Sequence, residues 1–171
     1  GICLLDGQQH ANTLCRLDDL RLLYRPTPDT LRDALHDLLT ANSCSLGDID
    51  AVLIGLNTNP DNDTVYLDAA AQLYPATPLI RYKHLFGESF SASALAHYVA
   101  ATCLRRGHIP SHLRLDSAAP PPPARRIPTH HPSITQTHHL TLLSPCQASS
   151  SFPPPSPYSF PPVSSTPLPP P

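Results

Sequence analysis

Lys83 is the only lysine of the 171-residue chain, and it stands shortly before Glu88 in the stretch RYKHLFGES, with Gly87 between them. A cation and a carboxylate so close, in a turn between a short apolar run and a long one, mark a strand-to-helix junction, where α/β folds collect side chains that do chemistry. An ammonium there stabilises negative charge on a bound group. A carboxylate accepts protons or hydrogen bonds and, beside a lysine, forms an ion pair. The competing reading of Lys83 is a solvated loop charge. His130, His131, His138 and His139 form two adjacent pairs of nitrogen ligands. Their neighbours are uncharged and supply no Asp, Glu or Cys to complete a zinc-type set, so no metal is expected. Cys103 sits in an apolar segment, where a thiol is held protonated and serves packing rather than nucleophilic attack. No cofactor is implied.

The elements that must position Lys83 and Glu88 surround them. Pro78 to Tyr82 reads as a short strand leading into the turn. After it, Ser89 to Leu104 contains no Asp, Glu, Lys or Arg, which predicts a helix buried on nearly all sides. Ser89 or Ser91 caps its start, Arg105 and Arg106 suit the negative end of its dipole, and Gly107 with Pro110 stops it. Upstream, Thr27 as N-cap, Pro28 at the first helical position and Leu31, Ala34, Leu35, Leu38 and Leu39 on one face predict an amphipathic helix to about Ala41. Ala51 to Ile54 reads as a buried parallel strand, followed by a loop from Gly55 to Asn62. Asp61, Asn62 or Asp63 can cap the next helix, which carries Val65, Tyr66, Ala69, Ala70 and Leu73. Nearer the start, Ile2 to Leu5 resembles a core strand, and Thr13 to Tyr24 reads as extended, with a helix as the alternative. Beyond Pro110, Leu113 and Leu115 suggest a brief strand, and Ile127 to Ile134 with His138 to Leu143 a weak hairpin. Alternating helices and strands give α/β layers.

Most of the 23 prolines lie after Asp116, and no charged residue follows Arg126. Residues 1–116 therefore read as the globular part, 117–126 as a polyproline spacer, 127–146 as a possible closing hairpin and 147–171 as a disordered Pro/Ser-rich tail. A net charge of −2 offers no basic stripe for nucleic acid and no polybasic membrane patch. No apolar run is long enough to span a bilayer. The five cysteines have no C-x-x-C spacing, which points to reduced thiols and a cytoplasmic setting. Opening on Gly1, with no Met anywhere, is the pattern of a piece of a longer protein.

Taken in order, LRDALHDLLTANSCSLGDIDAVLIG, NTNPDND and the Lys83 to Pro110 block ending in RRGHIP resemble the C-terminal half of a β-ketoacyl synthase, a thiolase-like α/β fold. The resemblance implies an acyltransferase of fatty-acid or polyketide-type synthesis. In that family a Cys of the N-terminal half carries the acyl chain. Two His of this half assist malonyl decarboxylation and stabilise the enolate and oxyanion, and a Lys sets the local field. Aligned on Asn62 and Asp63, the first histidine motif puts Gly55 where the His stands; aligned on Lys83 and Gly87, the second puts Glu88 there. Lys83 alone matches. The family's closing Gly-rich loop falls in Ile127 to His139, which has no glycine. An ionised Glu88 only accepts hydrogen bonds, so its sign opposes enolate stabilisation, and Gly55 offers no side chain.

These departures resemble the non-catalytic, chain-length-factor-type subunits of the superfamily, which pair with an active synthase and shape the acyl tunnel. The partners so implied are an active ketosynthase subunit or a second copy, and an acyl carrier protein. Two other readings stay open: an active condensing enzyme when complete, and an interaction protein working through its Pro-rich tail.

Overall fold

The computed structural model describes residues 4–89, 91–116, 122–132 and 137–146. A five-stranded mixed sheet, in the order β1-β5-β4-β2-β3, separates two helical layers. Its strands are β1 (Arg16–Tyr24), β2 (Val52–Ile54), β3 (Leu79–Arg81), β4 (Ile127–Pro132) and β5 (Thr137–Ser144). Strand β2 runs parallel to both β3 and β4, whereas β5 is antiparallel to β4 and to β1. The carboxyl ends of β2, β3 and β4 therefore open on the same side of the sheet.

The strand VLI of β2 is fully buried because both its faces are covered. Val52 and Ile54, with Leu140 and Leu142 of β5, pack against α1 (Pro28–Ala41) and α2 (Pro60–Leu73). Ala51, Leu53, Ile80, Ile127 and Leu143 pack on the other face against α4 (Ala92–Arg106). Helix α1 forms as its sequence dictates: Thr27 Oγ1 accepts the Thr30 N–H, Pro28 begins the first turn, and Leu31, Leu35, Leu38 and Leu39 are buried. Asp50, just ahead of β2, accepts the backbone N–H groups of Arg125 and Arg126 at 2.7 and 2.9 Å, which pins the start of β4 beside β2.

Several expectations need correction. Leu4 and Leu5 are 89% and 79% exposed and unpaired, since the ladder with β5 begins only at Arg16; the rest of the expected Ile2 to Leu5 strand lies outside the described residues. Helix α2 starts one turn early, capped by Asn59 on the Asp61 N–H, which frees the Asp63 carboxylate for the preceding loop. Of the brief strand expected at Leu113 and Leu115, Leu113 closes a 3₁₀ turn (Ser111–Leu113), and only a single antiparallel bridge forms, Arg114 to Ile80 with the Leu115 N–H on Leu79 O. Helix α4 is not covered all round: Ala96, Val99, Ala100, Cys103 and Leu104 are buried, but Ala94 and Tyr98 are exposed. Small uncharged residues do not by themselves demand burial. The hairpin of β4 and β5 is not peripheral, since it occupies the middle of the sheet. Of the proline spacer, Pro123 bridges to His108 and the Ala124 N–H bonds to Gly107 O, while 117–121 lie outside the described residues, as does 147–171. Among the described residues no helix is long and apolar enough to cross a membrane.

Candidate functional site

At the carboxyl ends of the three parallel strands, four connections converge: Gly55 and the loop after β2, the first turns of α2, the short helix α3 (Lys83–Phe86) after β3, and the end of β4 at His131 and Pro132. This is where an open α/β sheet leaves a crevice between diverging connections.

Lys83 opens α3 directly behind the buried Tyr82, so its stem runs inward and the residue is only 8% exposed. Gly87, at φ 74°, adopts a left-handed conformation that a residue with a Cβ takes only under strain, and this turn brings Glu88 back over Lys83. The Lys83 ammonium donates to Glu88 Oε2 at 2.7 Å, and Asn57 Nδ2 donates to the same oxygen at 2.8 Å. Asn57 is itself fixed. Asp63 Oδ1 accepts its backbone N–H at 2.9 Å, Asp63 Oδ2 accepts the Thr58 N–H at 3.1 Å, and Asn57 Oδ1 accepts the Asn59 N–H at 3.0 Å. That clamp holds Thr58 at φ 69°, a region β-branched residues rarely enter.

Glu88 is half exposed and Lys83 is not, so the pair is a buried cation closed from outside by a carboxylate. Partial burial raises the Glu88 pKa, but the hydrogen bonds from Lys83 and Asn57 outweigh it and leave the group below its ordinary value. Glu88 is therefore ionised at neutral pH and accepts from both neighbours. It cannot donate to an oxyanion.

Below this pair lies Tyr66 of α2. Its hydroxyl donates to Pro132 O at 3.2 Å, and the Lys83 ammonium stands 5.6 Å from its ring centroid. Burial, followed by the charges of Glu88 and Asp63, pushes the phenol up to about 12, so it stays protonated. Tyr82 Oη meets His131 Nδ1 at 3.4 Å, with the rings edge to face. Burial, followed by the neighbouring imidazoles and Lys83, holds His131 down at about 3. The ring is neutral, and among the described residues its Nε2 has no hydrogen-bond partner.

The structure thus brings Lys83 and Glu88 together as an ion pair and divides the four hairpin histidines between the two faces of the sheet. His130 and His138 share the α2 face, with Nε2 and Nδ1 3.1 Å apart and Tyr74 edge-on to His130, while His131 faces Tyr82 beneath α4. Among the described residues no group of three or more His, Cys, Asp or Glu is placed to hold a metal. Cys103 is buried in the core, its thiol pushed up to about 11 by desolvation. Asn57 and Tyr66 escaped the sequence reading, and His131, read there only as a possible metal ligand, stands instead against Tyr82. Tyr66 falls on the buried face of α2 and reads there as core; only the pairing of that bulky residue with Gly55 signals more.

Sequence comparison finds no matching family profile and no similar curated protein. Comparison of folds is productive. The chain is similar to the ishigamide ketosynthase/chain length factor, at a TM-score of 0.62 and 14% identity, over 78% of this chain and 38% of that one. A β-ketoacyl synthase from Burkholderia phymatum STM815 matches at 0.63 and 14%, again over 78% of this chain and 38% of the other. The complex of AntDE with AntF, a type II polyketide synthase acyl-carrier protein with its ketosynthase, matches at 0.62 and 10%, over 78% and 39%. The fold is therefore the thiolase-like α/β fold of ketosynthases and chain length factors, and the chain spans about two-fifths of those proteins' length.

Proposed function

We propose that, within this ketosynthase-type fold, the chain is the C-terminal half of a non-catalytic subunit of fatty-acid or polyketide-type synthesis. It works beside an active ketosynthase, or a second copy, and an acyl carrier protein in the cytoplasm, and it shapes the site that receives the acyl chain. The observation that carries this reading is the closed Lys83–Glu88–Asn57 network. The resemblance sets Glu88 at a catalytic imidazole's position, and there a half-exposed carboxylate neutralises the one cation of the site. Condensation builds negative charge on a thioester oxygen, and a donor aimed at such charge contributes about 3 to 4 kcal/mol of transition-state stabilisation. At the two positions this chain has a glycine and an acceptor. The 127–146 hairpin belongs with residues 1–116 in this half.

The test is malonyl decarboxylation and condensation by the complete protein, alone and mixed with a ketosynthase bearing both imidazoles, beside a Glu88→Gln variant. We expect no turnover alone, and product length that depends on this subunit in the mixture. Turnover by the isolated protein, abolished in Glu88→Gln, would show that Glu88 has taken over the imidazole's task.

A further inference from the structure

Gly55 is a glycine for want of space. Among the described residues the glycines with positive φ are Gly87 and Gly107, so the backbone at Gly55 suits any residue. A Cβ there, however, would lie 2.5 Å from Tyr66 Oη, 2.9 Å from Tyr66 Cζ and 3.0 Å from Lys83 Cε. Real Cβ atoms do not approach other atoms so closely. Tyr66 cannot swing aside freely either, because it is buried and its hydroxyl bonds to Pro132 O, across from its own helix.

We infer that Tyr66 is a positioning residue: it fills the volume that a side chain at residue 55 would take, and its ring fixes the Lys83 side chain so that the ammonium meets Glu88. Three elements interlock through it. Helix α2 supplies the ring, β4 supplies the carbonyl that anchors the hydroxyl, and the turn after β3 supplies the lysine stem that packs beside the ring. With Gly55 empty and Tyr66 in place, the Lys83 stem fits against the glycine and its charge is carried outward. With a side chain at residue 55, ring and stem would have to move. Residues 55 and 66 are therefore exchangeable in size: a bulky group at one requires a small group at the other. This packing holds whatever the chain's activity. Its consequence for the acyl site, that an imidazole restored at residue 55 needs Tyr66 reduced at the same time, rests on the functional reading above.

Because Lys83 is the only lysine, selective ¹³C labelling of lysine gives one ε-methylene resonance in the full chain. We expect that resonance displaced upfield by the Tyr66 ring, with a through-space cross peak to ring protons. Tyr66→Phe should keep both and Tyr66→Leu should lose both. In parallel, Gly55→Ala should lower the midpoint of thermal unfolding markedly in the parent and less than half as much in a Tyr66→Ala background, since contacting sites couple. A lysine resonance without ring displacement or cross peak in the unaltered chain would overturn the positioning role, even if Tyr66→Leu failed to fold. Equal losses from Gly55→Ala in the two backgrounds would overturn the space-filling role. Neither readout involves catalysis, so failure here is distinct from failure of the proposed function.

Discussion

Mild acid should destabilise this protein through two histidines, well before its carboxylates titrate. His130 and His131 are almost fully buried in the central strand β4, and both are held down to about 3 from an ordinary 6.5, chiefly because burial disfavours the imidazolium. The groups that face them offer no relief. His130 meets His138 of β5 and the phenol of Tyr74 just after α2; His131 meets Tyr82, with Lys83, His97 and His139 as nearby bases or cations. No carboxylate contacts either ring among the described hydrogen bonds. The folded-state values lie below the unfolded ones, so between pH 6.5 and about 3 the unfolded chain binds more protons, and stability present above pH 6.5 is lost as the pH falls.

At 1.36 kcal/mol per pH unit, each ring contributes about 2 kcal/mol of loss by pH 5, so the pair removes about 4 kcal/mol. That is a large part of the 5 to 15 kcal/mol typical of a folded domain. His97 and His138 are lowered in the same direction, again mainly by burial, and add to the effect. Asp6, Asp48 and Glu88 are lowered from carboxylate values and lose their contributions only at lower pH, which separates the two causes. Urea unfolding followed by circular dichroism at half-unit steps from pH 7.5 to 5 measures the slope. His130→Phe and His131→Phe should each flatten it, whatever each does to stability at pH 7.5. A slope near zero in the parent, or an unchanged slope in the double variant, would refute the reasoning.

Two further outcomes follow from the same geometry. Glu88→Gln keeps an acceptor for Asn57 but leaves the buried Lys83 ammonium without its counter-charge; because Glu88 is half exposed, the loss should be about 1 kcal/mol, and Lys83→Met combined with it should recover that loss, as a double-mutant cycle in urea will show. Leu20, Leu22 and Tyr24 alternate along the exposed face of the edge strand β1, an open template for association, so Leu22→Lys should lower the concentration-dependent mass seen by light scattering, and unchanged association would exclude this edge as its cause.

The sequence carried the layers of the fold and one half of the site, and the divide between what was legible and what was not follows from range. Local signals sufficed wherever one segment decides its own conformation. Thr27-Pro28 with four leucines specifies α1, and a fully buried VLI specifies β2. The turn that returns Glu88 to Lys83 was also legible, since both residues and the left-handed Gly87 lie within one short stretch. What eluded the sequence is set by partners remote along the chain. The IPTHHP and THHLTLLS segments hold prolines and histidines that read as a weak hairpin, yet pairing with β2 on one side and β1 on the other places them at the centre of the sheet, where Tyr74 and Tyr82 cover the rings. Helix α4 gave the opposite error, because an uncharged composition is compatible with burial without requiring it, and Tyr98 stands exposed. Gly55 shows the distinction most sharply. As a residue in the chain it is only the absence of a side chain, and it becomes informative when Tyr66 Oη is found 2.5 Å from where a Cβ would stand. A glycine can border an empty pocket or a filled one, and these differ in what a ligand meets. Here the space beside Gly55 is taken by a phenol anchored on β4, so a side chain at residue 55 would require Tyr66 and the Lys83 stem to move.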